Sequence, residues 1–207
     1  MGKSVYSMVL SDEVVSLIDR EAFRQGVSRS QMINEVLAEF VGFSTEERRI
    51  NELVDNLNEL LLGESRLRVV RRQQSAIDFL SALNYKYSPR VTYSVDLFTE
   101  KSYGELKIAL RTTNPDLIVI TGEFFTDYIE IEREAGVNAV YGIRDGKLVR
   151  RLDFSRSSSA KELADAISRY VNILDRLFND YVYDYAFGNA KKRLRENYKK
   201  VKKEIIV

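Results

Sequence analysis

The side chains that most often carry enzymatic chemistry are missing from this 207-residue chain, which has no histidine and no cysteine. Imidazole and thiolate metal sites, Ser-His-Asp triads, cysteine nucleophiles and disulfides are therefore excluded. Chemistry is left to carboxylates, Lys, Arg, Tyr and hydroxyls. One carboxylate grouping has a useful spacing. Pro115-Asp116 opens an apolar run, Leu117 to Ile120, and Tyr128-Ile129-Glu130-Ile131-Glu132 follows after a short interval. Read as strands, the first run is buried on both faces and the second alternates, with Glu130 and Glu132 on one side. A strand beginning at Asp116 would bring a third carboxylate close. Such a set suits a hard cation, Mg²⁺ or Mn²⁺, which would lower the pKa of a bound water. The ordinary alternative is a solvated row of Glu130, Glu132 and Glu134, with Pro-Asp as a turn opener.

A second grouping lies at the N-terminus. Residues 4–10 alternate Tyr6, Met8 and Leu10 against Val5, Ser7 and Val9, a short strand. Ser11 caps a helix whose first turn holds Asp12 and Glu13, and Gly26 ends it in a left-handed cap. Its apolar stripe is Val14, Leu17, Ile18 and Ala22. Ser28 or Ser30 starts a second helix bearing Met32, Ile33, Val36, Leu37 and Phe40, closed near Gly42. One strand and two helices are too little to bury their own apolar faces, and a lone strand leaves its backbone unpaired. Strand exchange with a second copy solves both problems.

This strand, cap, helix, Gly, Ser-x-Ser, helix order across residues 3–42 resembles the ribbon-helix-helix family (MetJ/Arc type) of bacterial and archaeal DNA-binding proteins. The resemblance implies a homodimer whose paired strands enter the major groove of double-stranded DNA. It makes Val5, Ser7 and Val9, together with Lys3, the readers of base edges. It makes the amides of Ser28, Arg29 and Ser30 a phosphate grip at a helix N-terminus. Two valines where polar or basic residues are usual depart from the family pattern. The second grouping of the sequence, Asp116 with Glu130-x-Glu132, resembles the PD-(D/E)xK restriction-endonuclease-like superfamily over roughly residues 66–200. That resemblance implies Asp116 and Glu130 as ligands of Mg or Mn, and Asp116, Glu130 and Glu132 as the catalytic set, with Glu132 where a Lys is usual.

The remaining elements follow from periodicity and punctuation. Ser44 and Glu47 form a capping box for a third helix with the stripe Ile50, Leu53, Val54, Leu57 and Leu61, ended by Gly63. A fourth helix is expected over 65–86, with Arg66, Arg68, Arg71 and Arg72 at its start. Strands are expected near 91–98, 104–111, 116–121, 127–132, 138–143 and 147–153, with Asp145-Gly146 as a hairpin turn. Ser157 to Ser159 lead into a helix, and the aromatic alternation of 181–187 suggests another strand. Gly188-Asn189 precedes a basic terminal helix, in a segment (156–207) with 12 basic and 7 acidic residues. Residues 1–43, by contrast, hold 4 basic and 6 acidic ones.

The expected class is α+β: a dimeric ribbon-helix-helix module (1–43), a connecting helix (44–63) and a C-terminal α/β domain (64–207) with a mainly β centre flanked by helices. The expected function is sequence-selective DNA binding as a homodimer or higher homo-oligomer, in a transcriptional regulator or a plasmid or virus maintenance factor. The C-terminal domain would then act in effector sensing, oligomerisation or a nuclease-like role. The alternative is a Mg-dependent endonuclease targeted by its N-terminal module. No apolar run suits a membrane span and no leader precedes the first element, so a cytoplasmic protein is expected. No phosphate-binding glycine motif supports nucleotide binding.

Overall fold

The computed structural model describes residues 5–41, 46–62, 66–98, 103–153 and 159–204. The chain divides into two compact units, Met1–Arg48 and Arg49–Val207. The first holds α1 (Asp12–Gln25) and α2 (Arg29–Phe40). Both form where the sequence places their caps. The Ser11 hydroxyl accepts from the Val14 amide and the Ser28 hydroxyl accepts from the Gln31 amide at 3.2 Å. Gly26 sits at φ 69°, a left-handed cap in which a side chain would be strained.

The second unit begins inside α3 (Glu46–Leu62). The capping-box expectation at Ser44 and the stops at Gly42 and Gly63 lie outside the described residues. The predicted stripe of α3 is real: Leu53, Val54, Leu57 and Leu61 are buried in the core that the sheet builds. The helix therefore belongs to the C-terminal unit and is not a free connector.

Six strands follow: β1 (Arg68–Gln73), β2 (Ala76–Ala82), β3 (Arg90–Phe98), β4 (Tyr103–Leu110), β5 (Tyr141–Arg144) and β6 (Lys147–Asp153). They form one sheet in the order β1-β2-β3-β4-β6-β5, with every neighbouring pair antiparallel. The helix expected over 65–86 is instead the β1–β2 hairpin. β3, β4 and β6 coincide with expectation, and Asp145 (φ 50°) and Gly146 (φ 70°) make the β5–β6 turn. Alternation is strict on β3, where Val91, Tyr93, Val95 and Leu97 are buried and Thr92, Ser94 and Asp96 are half-buried. One sheet face is thus apolar and the other carries charge, including Arg71–Asp78, Lys107–Asp96 and Arg151–Asp153 pairs.

Three more helices supply the apolar layer: α4 (Pro115–Glu134), α5 (Ala160–Tyr185) and α6 (Ala190–Val201), with a single 3₁₀ turn at Lys202–Glu204. Residues 116–121 and 127–132 are therefore helical, not strands. Asn114 accepts from the amides of Asp116 and Leu117, Pro115 occupies the first turn, and Leu117, Ile120, Phe124 and Tyr128 repeat at helical spacing into the core. The 181–187 alternation is likewise helical: Tyr181 and Tyr185 end α5 one turn apart, while Tyr183 points to solvent. Phe124 stacks on Phe178 with ring centroids 4.5 Å apart, tying α4 to α5. The class is mixed helix and sheet, α+β. Among the described residues no helix is long and apolar enough to cross a membrane.

Candidate functional site

The N-terminal unit presents the residues expected to read DNA. Residues 5–10 make no strand pairing within this single chain. Val5 and Val9 are fully exposed, and Tyr6, Met8 and Leu10, expected to face inward, are 81%, 52% and 36% exposed within this single chain. Ser7 is exposed, and Lys3 lies outside the described residues. Only Ala22, Met32 and Ala38 of α1 and α2 are buried. Tyr6, Leu17, Val36, Leu37 and Phe40 remain open to solvent.

At the start of α2 the Ser28 hydroxyl is committed to its capping bond, which leaves the amides of Arg29 and Ser30 in the first, unpaired turn. Ser30 is exposed. Arg29 is not free: its guanidinium donates to both oxygens of Asp19 at 2.6 Å. This bond holds the Asp19 carboxyl below the usual aspartate range and raises the guanidinium's own pKa. A phosphate at this helix end would compete with Asp19 for Arg29.

The carboxylate grouping does not assemble. Asp116, Glu130 and Glu132 all lie on α4. Fourteen residues of helix separate Asp116 from Glu130, about 21 Å along the axis, whereas one cation binds oxygens at roughly 2.0–2.6 Å. Glu130 and Glu132 are about 200° apart around the helix, not on one face. Asp116 is exposed in the first turn, where it complements the helix dipole. Glu130 is exposed and bound to Lys191 at 2.8 Å and to Arg195 at 3.4 Å; the Lys191 hydrogen bond holds its carboxyl below the ordinary range. Among the described residues no group of acidic side chains could hold a metal ion. The expected Mg or Mn site at Asp116 and Glu130, and the catalytic role of Asp116, Glu130 and Glu132, are corrected accordingly.

Glu132 instead centres a polar cluster missed by the period-two reading. It is fully buried and faces Arg150 of β6, itself buried, at 3.6 Å. Four phenols surround the carboxylate. Tyr128 donates to it at 2.9 Å, Tyr170 at 3.2 Å and Tyr198 at 3.3 Å, and Tyr141 also donates to it. The Arg150 guanidinium lies 4.4 Å over the Tyr170 ring. Burial first, and the Glu132 charge second, push the Tyr141 and Tyr198 hydroxyls well above their ordinary values. Burial opposes the charge on Arg150, but the facing Tyr170 and Glu132 outweigh it and raise its pKa. All four hydroxyls therefore act as donors to the Glu132 carboxyl group. Only one pair of this site carried a local signal: Tyr128 and Glu132 are four residues apart on the apolar side of α4.

The carboxylate at the centre of the cluster is closed to solvent, whereas Tyr141 at its edge is partly exposed. Glu132 has no exposed surface, so it offers no atom to a substrate. What it does is join α4, β5, β6, α5 and α6 through one charge, an arrangement that is stable only when every member is satisfied. Comparison of the chain with protein-family models, with curated proteins and with solved structures gave no match.

Proposed function

We propose that this chain is a sequence-selective DNA-binding protein that acts as a ribbon-helix-helix homodimer, with residues 49–207 as an effector or oligomerisation domain. One observation carries the reading. A capped two-helix hairpin with an unpaired N-terminal arm leaves Tyr6, Leu17, Val36, Leu37 and Phe40 exposed, where a stable module would bury them. A second copy supplies the missing surface by pairing the arms and covering the helices, and the alternation then aims Val5, Ser7 and Val9 outward together. Valines touch thymine methyls and Ser7 hydrogen-bonds a base edge, which fits an A·T-containing site. The role is that of a regulator or a plasmid or virus maintenance factor.

The test is Met8→Lys in the full chain, followed by sedimentation and DNA binding. A charge placed on the face of the arm that the dimer buries is strongly disfavoured. The variant should sediment as a monomer and lose DNA binding, while the unfolding transition of residues 49–207 stays where it was. In the intact dimer, Ser7→Ala should alter sequence preference, at about 1–3 kcal/mol per direct base contact. A wild-type chain that sediments as a monomer at micromolar concentration refutes the reading.

A further inference from the structure

The cations of α6 sort by direction. Ala190, Leu194, Tyr198 and Val201 form its buried seam. On its flanks Lys191 reaches Asp127 at 3.0 Å, Arg195 reaches Glu134 at 2.9 Å and Arg193 reaches Asp184 at 3.5 Å. At about 100° per residue, Lys192 and Lys199 lie opposite the seam, with Lys200 to one side. Lys203, in the turn that follows, extends the same exposed stripe. None of these four lysines makes an ion pair among the described residues; Lys200 has only a long hydrogen bond to Asn197, at 3.4 Å. The helix therefore uses some of its charge to hold the fold and leaves a cationic ridge facing water.

The N-terminal module is poorer in that resource. Residues 1–43 have 4 basic groups against 6 acidic ones; of the three described, Arg29 is clamped by Asp19, Arg24 is paired with Glu21 at 2.7 Å, and Arg20 is exposed. Affinity for duplex DNA comes largely from phosphates neutralised and counterions released. A module so poor in available cations needs a second surface to supply that term. We infer that the outer face of α6 is this surface, and that Lys192, Lys199, Lys200 and Lys203 contact the phosphate backbone of the duplex that the N-terminal module reads. The inference rests on the DNA-binding reading above.

The experiment titrates one duplex with full-length wild type and with K192Q/K199Q/K200Q/K203Q, by fluorescence anisotropy between about 50 and 200 mM salt. All four substitutions are on exposed helix or turn positions, and circular dichroism checks that the fold is kept. The variant should bind more weakly at low salt, keep its sequence preference, and show a slope of log K against log salt flattened by about 0.9 for each lysine that touches a phosphate. Equal slopes for the two proteins overturn the inference and leave the DNA-binding reading standing. A wild type that binds no duplex at any salt overturns both. Tighter wild-type binding to phosphatidylserine–phosphatidylcholine vesicles than to duplex, abolished in the variant, also overturns it and assigns the ridge to an anionic membrane surface.

Discussion

Residues 5–41 and residues 49–204 treat their side chains in opposite ways. The first stretch leaves phenylalanines open, with Phe23 and Phe40 each about nine-tenths exposed. The second buries Phe79, Phe124, Phe125 and Phe178, and also a glutamate, an arginine and three of the four tyrosines around one carboxylate. A unit that can close over a charge has surface to spare and completes itself within one chain. The N-terminal helices leave Tyr6, Leu17, Val36, Leu37 and Phe40 exposed, and in the proposed homodimer a second copy would cover them.

That comparison can be broken at its strongest point first. Arg150→Met should leave the Glu132 carboxylate buried without its cation, at a cost of about 3–5 kcal/mol. Urea unfolding of residues 49–207 within the full chain should show it, and a change below 1 kcal/mol would mean that the phenols alone stabilise the anion. Tyr170→Phe sharpens the same point on a smaller scale. It removes one donor to the carboxylate and should cost about 1–3 kcal/mol, with no effect on sedimentation or DNA binding. Were sedimentation or duplex binding to fall with it, the cluster would matter beyond the fold of residues 49–207.

The smallest effect concerns a half-buried acid on α5. Burial, opposed by Arg176 and reinforced by Asp184, raises the pKa of Asp180 above its ordinary value of 3.8. A raised carboxyl binds its proton more tightly in the folded state. Its contribution is thus fully present below the unfolded value and is lost as pH rises through the folded one. Asp180→Asn should therefore raise the melting temperature slightly at pH 7, and calorimetry should find the gain shrinking towards pH 3.8. An unchanged or lower melting temperature at pH 7 would show that the 3.4 Å hydrogen bond from Asn197 outweighs the burial.

Local chemistry made part of this legible in the sequence. Ser11, Gly26, Ser28 and Ser159 cap helices where their types suggest, because a cap is decided within four residues. Asp145-Gly146 turns a hairpin for the same reason. The errors arose where a segment satisfies two periods. Residues 65–86 carry Arg, Gln, Ala and Leu, all good helix formers. They pair as strands because β2 finds β3 beside it in continuous register from Ala76↔Asp96 to Ala82↔Arg90. Tertiary pairing overrode propensity. Residues 114–132 erred the other way. Glu130 and Glu132 suggested alternation, but Leu117, Ile120, Phe124 and Tyr128 hold the longer, helical rhythm. The candidate metal site was an artefact of that choice. The tyrosine cluster was hidden because Tyr141, Tyr170 and Tyr198 are brought to Glu132 from three separate elements, which no spacing within one segment records. At the N-terminus the Asp19 clamp on Arg29 spans ten residues and two helices and was not legible.

The membership of α3 in the second core also has an evolutionary reading. Its Leu57 and Leu61 are fully buried in the second core, so the seam at which this gene could exchange its N-terminal module lies at the start of the helix, where the units divide between Arg48 and Arg49, not after residue 62. A crossover at the later point would deliver the recipient a sheet with one side of its core uncovered. Homologous recombination or domain grafting that respects the earlier seam transfers a whole hydrophobic layer.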